Sequence, residues 1–555
     1  MNWIVALRVS IDGAFEGAPM STYESDVRRW VPRAMLVFAL ALNACNTPDF
    51  DVVISGGTIY DGSGGEAYVA DIGITDGVIR DIGDLETSTA SDTIDATGLM
   101  VAPGFIDAHS HAVLDEEWGS DGKHFLTQGI TTVVLGLDGF GPYEVAERLE
   151  SWEGNGIGVN ALTFVGHNAI RTEVMGLAPR APSPDELEEM KALVRKGMAE
   201  GAFGLSTGLF YTPGTFSETD EVIALAKVAA EWDNAIYDTH DRDLGATYEG
   251  VGYDASVAEG IRIGEESGLR VIFSHFNPQG ATNYGRADVG ARMIEEARSR
   301  GVEVWAAHHP YTATQSNLRS YALPRRASGG GTEAVLARFE HPDTGRTLRT
   351  QIMESLAMRG GASKIMIVDE NPDLNGRTLE ERATEWSMSV PNAVEKIIQE
   401  QGNASVMNLE LYDLENTRYL ARMPWMMTCT DGRPPAPGQN ITHPRVYGAF
   451  PRKLRLFAME NDDINISFAI RSFSGLSADF FGLDDRGYVE VGRIADLTVI
   501  DLDAYRDVST LSDPHHFSEG VVHVLLNGSF SIRNGETTGI MAGQAIRAPW
   551  EHSEG

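Results

Sequence analysis

The sequence is poor in cysteine and in basic residues, and each shortage excludes something. Cys45 and Cys429 are the only cysteines in 555 residues. No disulfide framework can be read from them, and a cysteine-based structural zinc site is ruled out. Any bound metal must therefore rest on histidines and carboxylates. Lysine and arginine number 44 against 80 aspartates and glutamates, a formal charge of -36. A surface of that sign argues against a nucleic-acid partner and favours solubility in a salty or extracellular setting. A membrane-spanning run is missing too: the apolar stretch from Met35 to Leu42 falls far short of the roughly 20 residues a span requires. No internal repeat is found.

That short run has a reading of its own. Arg28, Arg29 and Arg33 precede it, and it ends in Leu42-Asn43-Ala44-Cys45. The order resembles a bacterial lipoprotein signal, with lipid attached to Cys45 after cleavage. Asn43 departs from the usual residue there, and residues 1–19 before Met20 read as an upstream extension. The competing reading is a buried N-terminal helix. Residues 1–45 are expected to be a signal segment of a cell-envelope protein, periplasmic or on the outer membrane, whose only membrane contact is the anchor on Cys45.

With 42% hydrophobic and 22% charged residues, the remainder is ordinary globular material, long enough for one large and one small domain. From Phe50 to about Asp95 short strands alternate with glycine turns, and Gly492 to Asp501 and Val522 to Gly528 repeat that character. Between Val101 and Phe481, buried-strand signals such as Val133-Val134-Leu135, Val271-Ile272-Phe273 and Met426-Met427-Thr428 alternate with amphipathic helices, among them Ser183 to Gly201 and Asp220 to Glu231. The expected fold is α/β, a (β/α)₈ TIM-like barrel with a small β-sandwich domain formed from both chain ends. The expected boundaries are 46–100 and 482–555 for the β domain and 101–481 for the barrel. The stretches around Gly329 and Arg433-Pro434-Pro435 are expected to be loops over the barrel mouth.

Chemistry concentrates at the ends of the candidate strands. Pro103 to His111 closes on His109 and His111, two histidines at i and i+2. In a strand those positions face one side, so both imidazoles can meet one ion. His240 ends Ala235 to Thr239, His275 ends Val271 to Ser274, and Asp431 ends Trp425 to Thr430. Taken singly, each is more often a satisfied polar residue. Four strand ends of one barrel each delivering a histidine or an aspartate point instead to a metal site at the C-terminal face, where barrel enzymes carry their chemistry. Imidazole nitrogen and carboxylate oxygen suit a zinc-type ion, and this number of ligands holds one or two divalent ions.

The Pro103 to His111 motif is followed by Gly201-Ala202-Phe203-Gly204-Leu205-Ser206-Thr207-Gly208-Leu209-Phe210-Tyr211-Thr212-Pro213-Gly214 and Thr239 to Asp243. Ser274-His275, Pro310 to Ala313, Thr430-Asp431-Gly432, His443 to Gly448, Ala495-Asp496-Leu497 and Asn527-Gly528 come next in order. From about Phe50 to Pro549 the chain resembles the amidohydrolase superfamily, and within it the N-acyl-D-amino-acid deacylases. The resemblance implies zinc, one or two ions, with His109, His111 and Asp431 at one site and His240 and His275 at the other. It implies that Asp138 stands where many relatives have a bridging cysteine, and an aspartate can bridge two ions through its two oxygens. Asp431 is implied as general base and acid, and Tyr211 as donor to the scissile carbonyl.

Recognition of the substrate departs from that pattern. Relatives carry a lysine two residues after the strand-six histidine to bind the free carboxylate of the amino acid, and here Asn277 occupies the position. A neutral amide does not replace a charge-assisted contact. Tyr311 and Arg445 match other positions on the carboxylate side, Arg319 is the candidate to compensate, and His308 and His309 replace apolar and aromatic residues. The resemblance implies metal-dependent hydrolysis of a linear amide in a small molecule, with deacylation of N-acyl-D-amino acids as the expected reaction. Alternatives within the class are peptides, neutral amides or cyclic amides, although cyclic-amide enzymes bridge their metals with a carboxylated lysine that Gly201 to Gly214 does not offer. A non-catalytic binding protein on the same fold is the alternative of a different class. The number of subunits is not legible.

Overall fold

The parallel core begins where the sequence turns uniformly apolar. In the computed structural model, which describes residues 48–552, eight short strands alternate with helices: β1 Phe105–Asp107, β2 Ile130–Leu135, β3 Asn160–Thr163, β4 Gly204–Gly208, β5 Ile236–His240, β6 Arg270–Phe273, β7 Val304–His308 and β8 Met426–Thr428. Cys45 and the signal expected over residues 1–45 lie outside the described residues. Neighbours pair in parallel from β1 to β3 and from β4 to β8. Two main-chain hydrogen bonds join the two runs: Phe203 N to the Thr163 carbonyl at 3.0 Å, and Ala108 N to the Thr428 carbonyl at 3.3 Å. The barrel is thus closed. All six residues of β2 and all five of β5 are buried, as expected of strands covered by helices outside and side chains within. The helix Pro184–Ala199 starts on a capping box, Ser183 with Glu186, and Pro184 sits at its first turn, where no amide donor is missed.

Both ends of the chain contribute to one nine-stranded sheet. Phe50–Ile59, Tyr68–Thr75, Val78–Gly83, Ala90–Asp95 and Met100–Pro103 come from one end, and Leu497–Ile500, Val521–Leu526, Ser529–Arg533 and Glu536–Thr537 from the other. Met100–Pro103 pairs with Leu497–Ile500, so the sheet runs to Pro103 and does not stop at residue 100. The last residues leave it: Ile546 N bonds the Ala161 carbonyl at 2.7 Å, Ala161 N bonds the Gln544 carbonyl at 2.9 Å, and Trp550 packs edge-on against Phe203. The tail therefore straps the entry ends of β3 and β4. Asp496 ties sheet to barrel, accepting from Asn160 Nδ2 at 2.9 Å, Arg486 Nη1 at 2.8 Å and Asn527 N at 2.6 Å. Removing it would leave the Asn160 amide and the Asn527 N–H without their carboxylate and Arg486 with Asp485 alone, a costly state.

The stretch 309–425 between β7 and β8 is a subdomain and not a set of loops. Three antiparallel strands, Thr314–Asn317, Ser405–Asn408 and Ile365–Ile367, pack with helices that include Gly331–Glu340, Pro342–Met358 and Val390–Gln401. Leu318, Phe339, Ile352, Ile397 and Val406 form its core. Gly329 lies just before its helix Gly331–Glu340. Arg433-Pro434-Pro435 does lie outside helix and strand.

Beneath β8 the fold buries a lysine. Lys453 closes the helix Arg445–Lys453 with no exposed surface, donating to Thr428 Oγ1 at 2.6 Å and Ser472 Oγ at 3.2 Å. Among the described residues it makes no ion pair, and burial lowers its ammonium from 10.5 to about 7. Between those values the unfolded chain holds a proton that the folded chain has released, so this site's contribution to stability rises with pH. Denaturant titrations should show the wild type gaining on Lys453→Met by on the order of 1–3 kcal/mol between about pH 7 and about pH 9. A difference that stays constant over that range contradicts the assignment.

Candidate metal centre

Six of the residues singled out in the sequence converge at the C-terminal mouth of the barrel. His109 and His111 follow β1, Asp138 follows β2, His240 ends β5, His275 follows β6 and Asp431 follows β8. His109 Nε2 lies 3.7 Å from Asp138 Oδ1 and 3.6 Å from Asp431 Oδ1. His111 Nε2 lies 3.4 Å from Asp138 Oδ2 and 3.3 Å from Asp431 Oδ1. His275 Nε2 is 3.9 Å from Asp138 Oδ1, and the His240 and His275 rings meet at 4.5 Å. Two donors each about 2.0 to 2.2 Å from one ion at tetrahedral angles are roughly 3.4 Å apart, so most of these separations fit shared coordination better than direct hydrogen bonding. His109, His111 and Asp138 form one such group, and His109, His275 and Asp431 form another.

The backbone is held in an uncommon conformation to achieve this. Asp138, His275 and Asp431 have φ of 57°, 33° and 47°, in the left-handed region that non-glycine residues seldom occupy. Such strain persists where the surroundings enforce it, and it clusters at functional sites. Asp431 N is fixed by the His109 carbonyl at 2.9 Å, and the amide after Asp138, Gly139 N, by Ser206 Oγ at 3.0 Å. Gly208 has to be glycine, since a Cβ there would come 2.1 Å from the Asp138 carbonyl oxygen.

The electrostatics call for cations. Asp138 and Asp431 are each 5% exposed. Burial opposes their charge, yet His111 beside both, itself raised to about 9, and Arg445 beside Asp431 hold them below the ordinary carboxylate range. Burial depresses His109 to about 3 and His240 to about 4, so both imidazoles are neutral and ready to ligate. Both ring nitrogens of His109 and Asp138 Oδ1 are buried without a hydrogen-bond partner. Buried polar atoms are ordinarily satisfied, and divalent ions would satisfy this set, held by His109 with His111 and Asp138 and by His109 with His275 and Asp431.

Around the cluster the structure separates the remaining candidates. Tyr211 stands at the mouth with its ring 4.6 Å from that of His240, and Ser316 Oγ donates to its hydroxyl at 3.4 Å. Arg445 Nη1 pairs with Asp431 Oδ2 and lies 3.3 Å from His309 Nε2. Three of the expected substrate residues hold partners of their own in this structure. Asn277 turns its amide onto Thr417 Oγ1 at 2.8 Å, because the chain after β6 points that side chain at the helix Leu414–Ala421. Arg319 donates to the Ser328 carbonyl within the subdomain. Tyr311 reaches the Pro444 carbonyl at 3.4 Å with Arg452 stacked 4.7 Å over its ring. None of the three lines the pocket, and neither do His308 and His309. The pocket that ends at His240, His275 and Asp431 is lined instead by Phe210, Tyr211, Leu244, Gln279, Thr314, Gln315, Ser316 and Tyr321. Gln279 follows His275 in the same loop and was within reach of sequence reasoning, whereas Thr314 to Tyr321 arrive through a subdomain whose packing no local pattern reveals. A second cleft opens on the other side of His111, bounded by Phe140, Trp152 and Arg433.

Comparison with known proteins agrees with this arrangement. Residues 92–532 match the model of the Amidohydrolase family. D-aminoacylase of Alcaligenes xylosoxydans xylosoxydans is 30% identical over 531 residues, covering 91% of this chain and 99% of the relative. The crystal structure of N-acyl-D-glutamate deacylase from Bordetella bronchiseptica, complexed with zinc and a phosphonate mimic of the tetrahedral intermediate, is 28% identical. It superimposes with a TM-score of 0.76 over 90% of this chain and 100% of that one. A D-aminoacylase structure describing a binuclear metal centre gives 0.77 at 28% identity over the same shares.

The shared carboxylate is the feature to test. Asp138→Ala should lower the zinc bound per chain to about half of the wild-type content if Asp138 bridges two ions, and Asp138→Cys should recover part of the loss, as thiolate also ligates zinc. Elemental analysis after dialysis measures both. Unchanged zinc in Asp138→Ala contradicts the bridge.

Proposed function

Because the chain belongs to the amidohydrolase family, we propose that it is a metal-dependent hydrolase of carbon–nitrogen bonds other than peptide bonds, which removes the acyl group from N-acyl-D-amino acids. The observation that carries this reading is the convergence of His109, His111, Asp138, His275 and Asp431 beside Tyr211, at a mouth with a cleft on either side. The cleft beside His111, about 150 Å³, gives a small amide access to the cluster. His109, His111, His240, His275 and the two aspartates hold zinc, which when bound polarises the carbonyl and makes water nucleophilic at neutral pH.

The chain's own groups then have separate tasks. Asp431 points Oδ1 at His109 and His111 and Oδ2 at Arg445. It accepts the proton of the attacking water and delivers it to the leaving amine, while the guanidinium keeps it ionised between turnovers. Burial keeps Tyr211 protonated well above the usual phenol range, so its hydroxyl remains a donor to the carbonyl oxygen as charge develops there. We also propose, on the Met35 to Cys45 pattern, that the protein is held in the cell envelope by lipid on Cys45. Loss of membrane association in Cys45→Ala checks this, and retention refutes it.

Zinc-loaded protein should release free amino acid from a panel of N-acetyl-D-amino acids and favour D over L. Tyr211→Phe should lower kcat by about 10²- to 10³-fold, the scale of one oxyanion donor, with metal content unchanged. A fully metallated wild type inert on the whole panel overturns the reading.

A further inference from the structure

Tyr211 is carried to the mouth on a turn, and that turn has an anchor of its own. β4 ends at Gly208, and beside it the short strand Val165–Gly166 runs parallel, with Leu205 opposite Val165 and Ser206 opposite Gly166. After Gly166 the neighbouring chain turns into the helix His167–Met175, so its main chain no longer follows β4. The place opposite Gly208 in that register is filled by a side chain. Asn168 Nδ2 donates to the Gly208 carbonyl at 3.0 Å, and Gly208 N donates to Asn168 Oδ1 at 3.3 Å. A carboxamide presents the same donor and acceptor as a peptide group, so Asn168 extends the parallel ladder by one rung.

That rung is where the Tyr211 turn begins. The Gly208 carbonyl also accepts from Tyr211 N at 3.0 Å, and the Tyr211 carbonyl accepts from Thr215 N at 2.7 Å. The returning chain rests on the same amide, since a Cβ on Gly214 would come 2.4 Å from Asn168 Oδ1. On the far side of β4, Leu209 N donates to the His240 carbonyl at 3.0 Å. Asn168 has no exposed surface, and its helix is clamped on either side of it. Glu221 Oε1 lies 2.9 Å from His167 Nε2 and accepts from Arg171 Nη1 at 2.6 Å.

We propose that Asn168 is a positioning residue for Tyr211: its amide, paired to both main-chain groups of Gly208, sets where the turn leaves β4 and hence where the phenol stands beside the cluster. The inference rests on the deacylase reading, in which Tyr211 donates to the scissile carbonyl. Such a donor works only where charge develops, and a misplacement of about 1 Å costs up to roughly 10²-fold. The same helix turn reaches the loop after β2, where Ala169 N donates to the Gly139 carbonyl at 3.0 Å and Asn168 Oδ1 packs against Gly139. That hydrogen bond is main chain and survives substitution of Asn168, so metal binding at Asp138 persists while Tyr211 shifts.

The test is a double-mutant cycle on zinc-loaded protein: wild type, Asn168→Ser, Tyr211→Phe and the two combined, on the best-cleaved member of the N-acetyl-D-amino-acid panel. Asn168→Ser should lower kcat by about 10- to 100-fold, with KM within about 3-fold of the wild type and zinc content unchanged. In the Tyr211→Phe background the same substitution should cost less than about 3-fold, because the hydroxyl it positions is already gone. An equal cost in both backgrounds overturns the proposal, since a purely structural asparagine loses the same in either. Loss of zinc also overturns it, as the effect then runs through Asp138, and so does a wild-type kcat in Asn168→Ser. If Asn168→Ser does not fold, the isosteric Asn168→Asp, which removes the donor to the Gly208 carbonyl, runs the same cycle under the same criteria. If the wild type cleaves no member of the panel, or Tyr211→Phe leaves kcat unchanged, the reading on which the proposal rests has failed. Crystal structures of the wild type and of the variant that folds then decide: a Tyr211 ring shifted from that of His240 upholds the positioning role, and an unmoved ring overturns it.

Discussion

Two aspartates, Asp138 and Asp431, are buried at the barrel mouth against the same two imidazoles, His109 and His111, and the charge they carry has to be matched. Arg445 matches one oxygen of Asp431. His109 and His240 are neutral and offer lone pairs in place of charge. His111, raised against its burial to about 9 by the two aspartates, carries a further positive charge that a divalent ion would replace, and the surrounding fold can be understood as the apparatus that keeps these donors converged. Eight strands aim their ends at one point, and Asp138, His275 and Asp431 accept left-handed backbone so that their side chains turn inward. Gly208 and Ser206 brace the Asp138 turn from β4. Stability given up at the mouth is recovered in the continuous apolar packing around the barrel.

The rest of the molecule supports that mouth from two directions. Below, Asp496 and Asn527 bind Asn160 at the start of β3, and the segment through Trp550 crosses β3 and β4, so the C-terminal segment is locked to the base of the barrel. Above, the subdomain 309–425 brings Thr314, Ser316 and Tyr321 to the pocket. Chemistry thus sits between a rigid base and a separately packed roof, a common division of labour in barrel enzymes, whose strand-end loops vary while the frame persists.

The metal ligands were legible in the sequence for a specific reason. His109, His111, His240, His275 and Asp431 sit at or directly beyond apolar strands, so strand periodicity and residue type together disclosed their positions, as for His240 after Ile236 to Thr239, whereas Asp138 was found through the family resemblance. The alternating strands likewise disclosed the barrel, and the glycine-bounded ends the shared β sheet. What stayed hidden depends on packing between distant segments. The orientation of Asn277 follows from Thr417 on a helix 140 residues away, and Arg319 and Tyr311 were drawn off by the Ser328 and Pro444 carbonyls. The subdomain was underread because Gly329 and its neighbours carry turn residues while the helices around them have their own core.

The account stands or falls on where divalent metal binds. Anomalous diffraction from zinc-loaded crystals at the zinc edge measures this directly. Two peaks are predicted, one among His109, His111 and the aspartates and one beside His240 and His275, with Asp138 between them. Zinc bound only outside this cluster, or none bound at all, would contradict it.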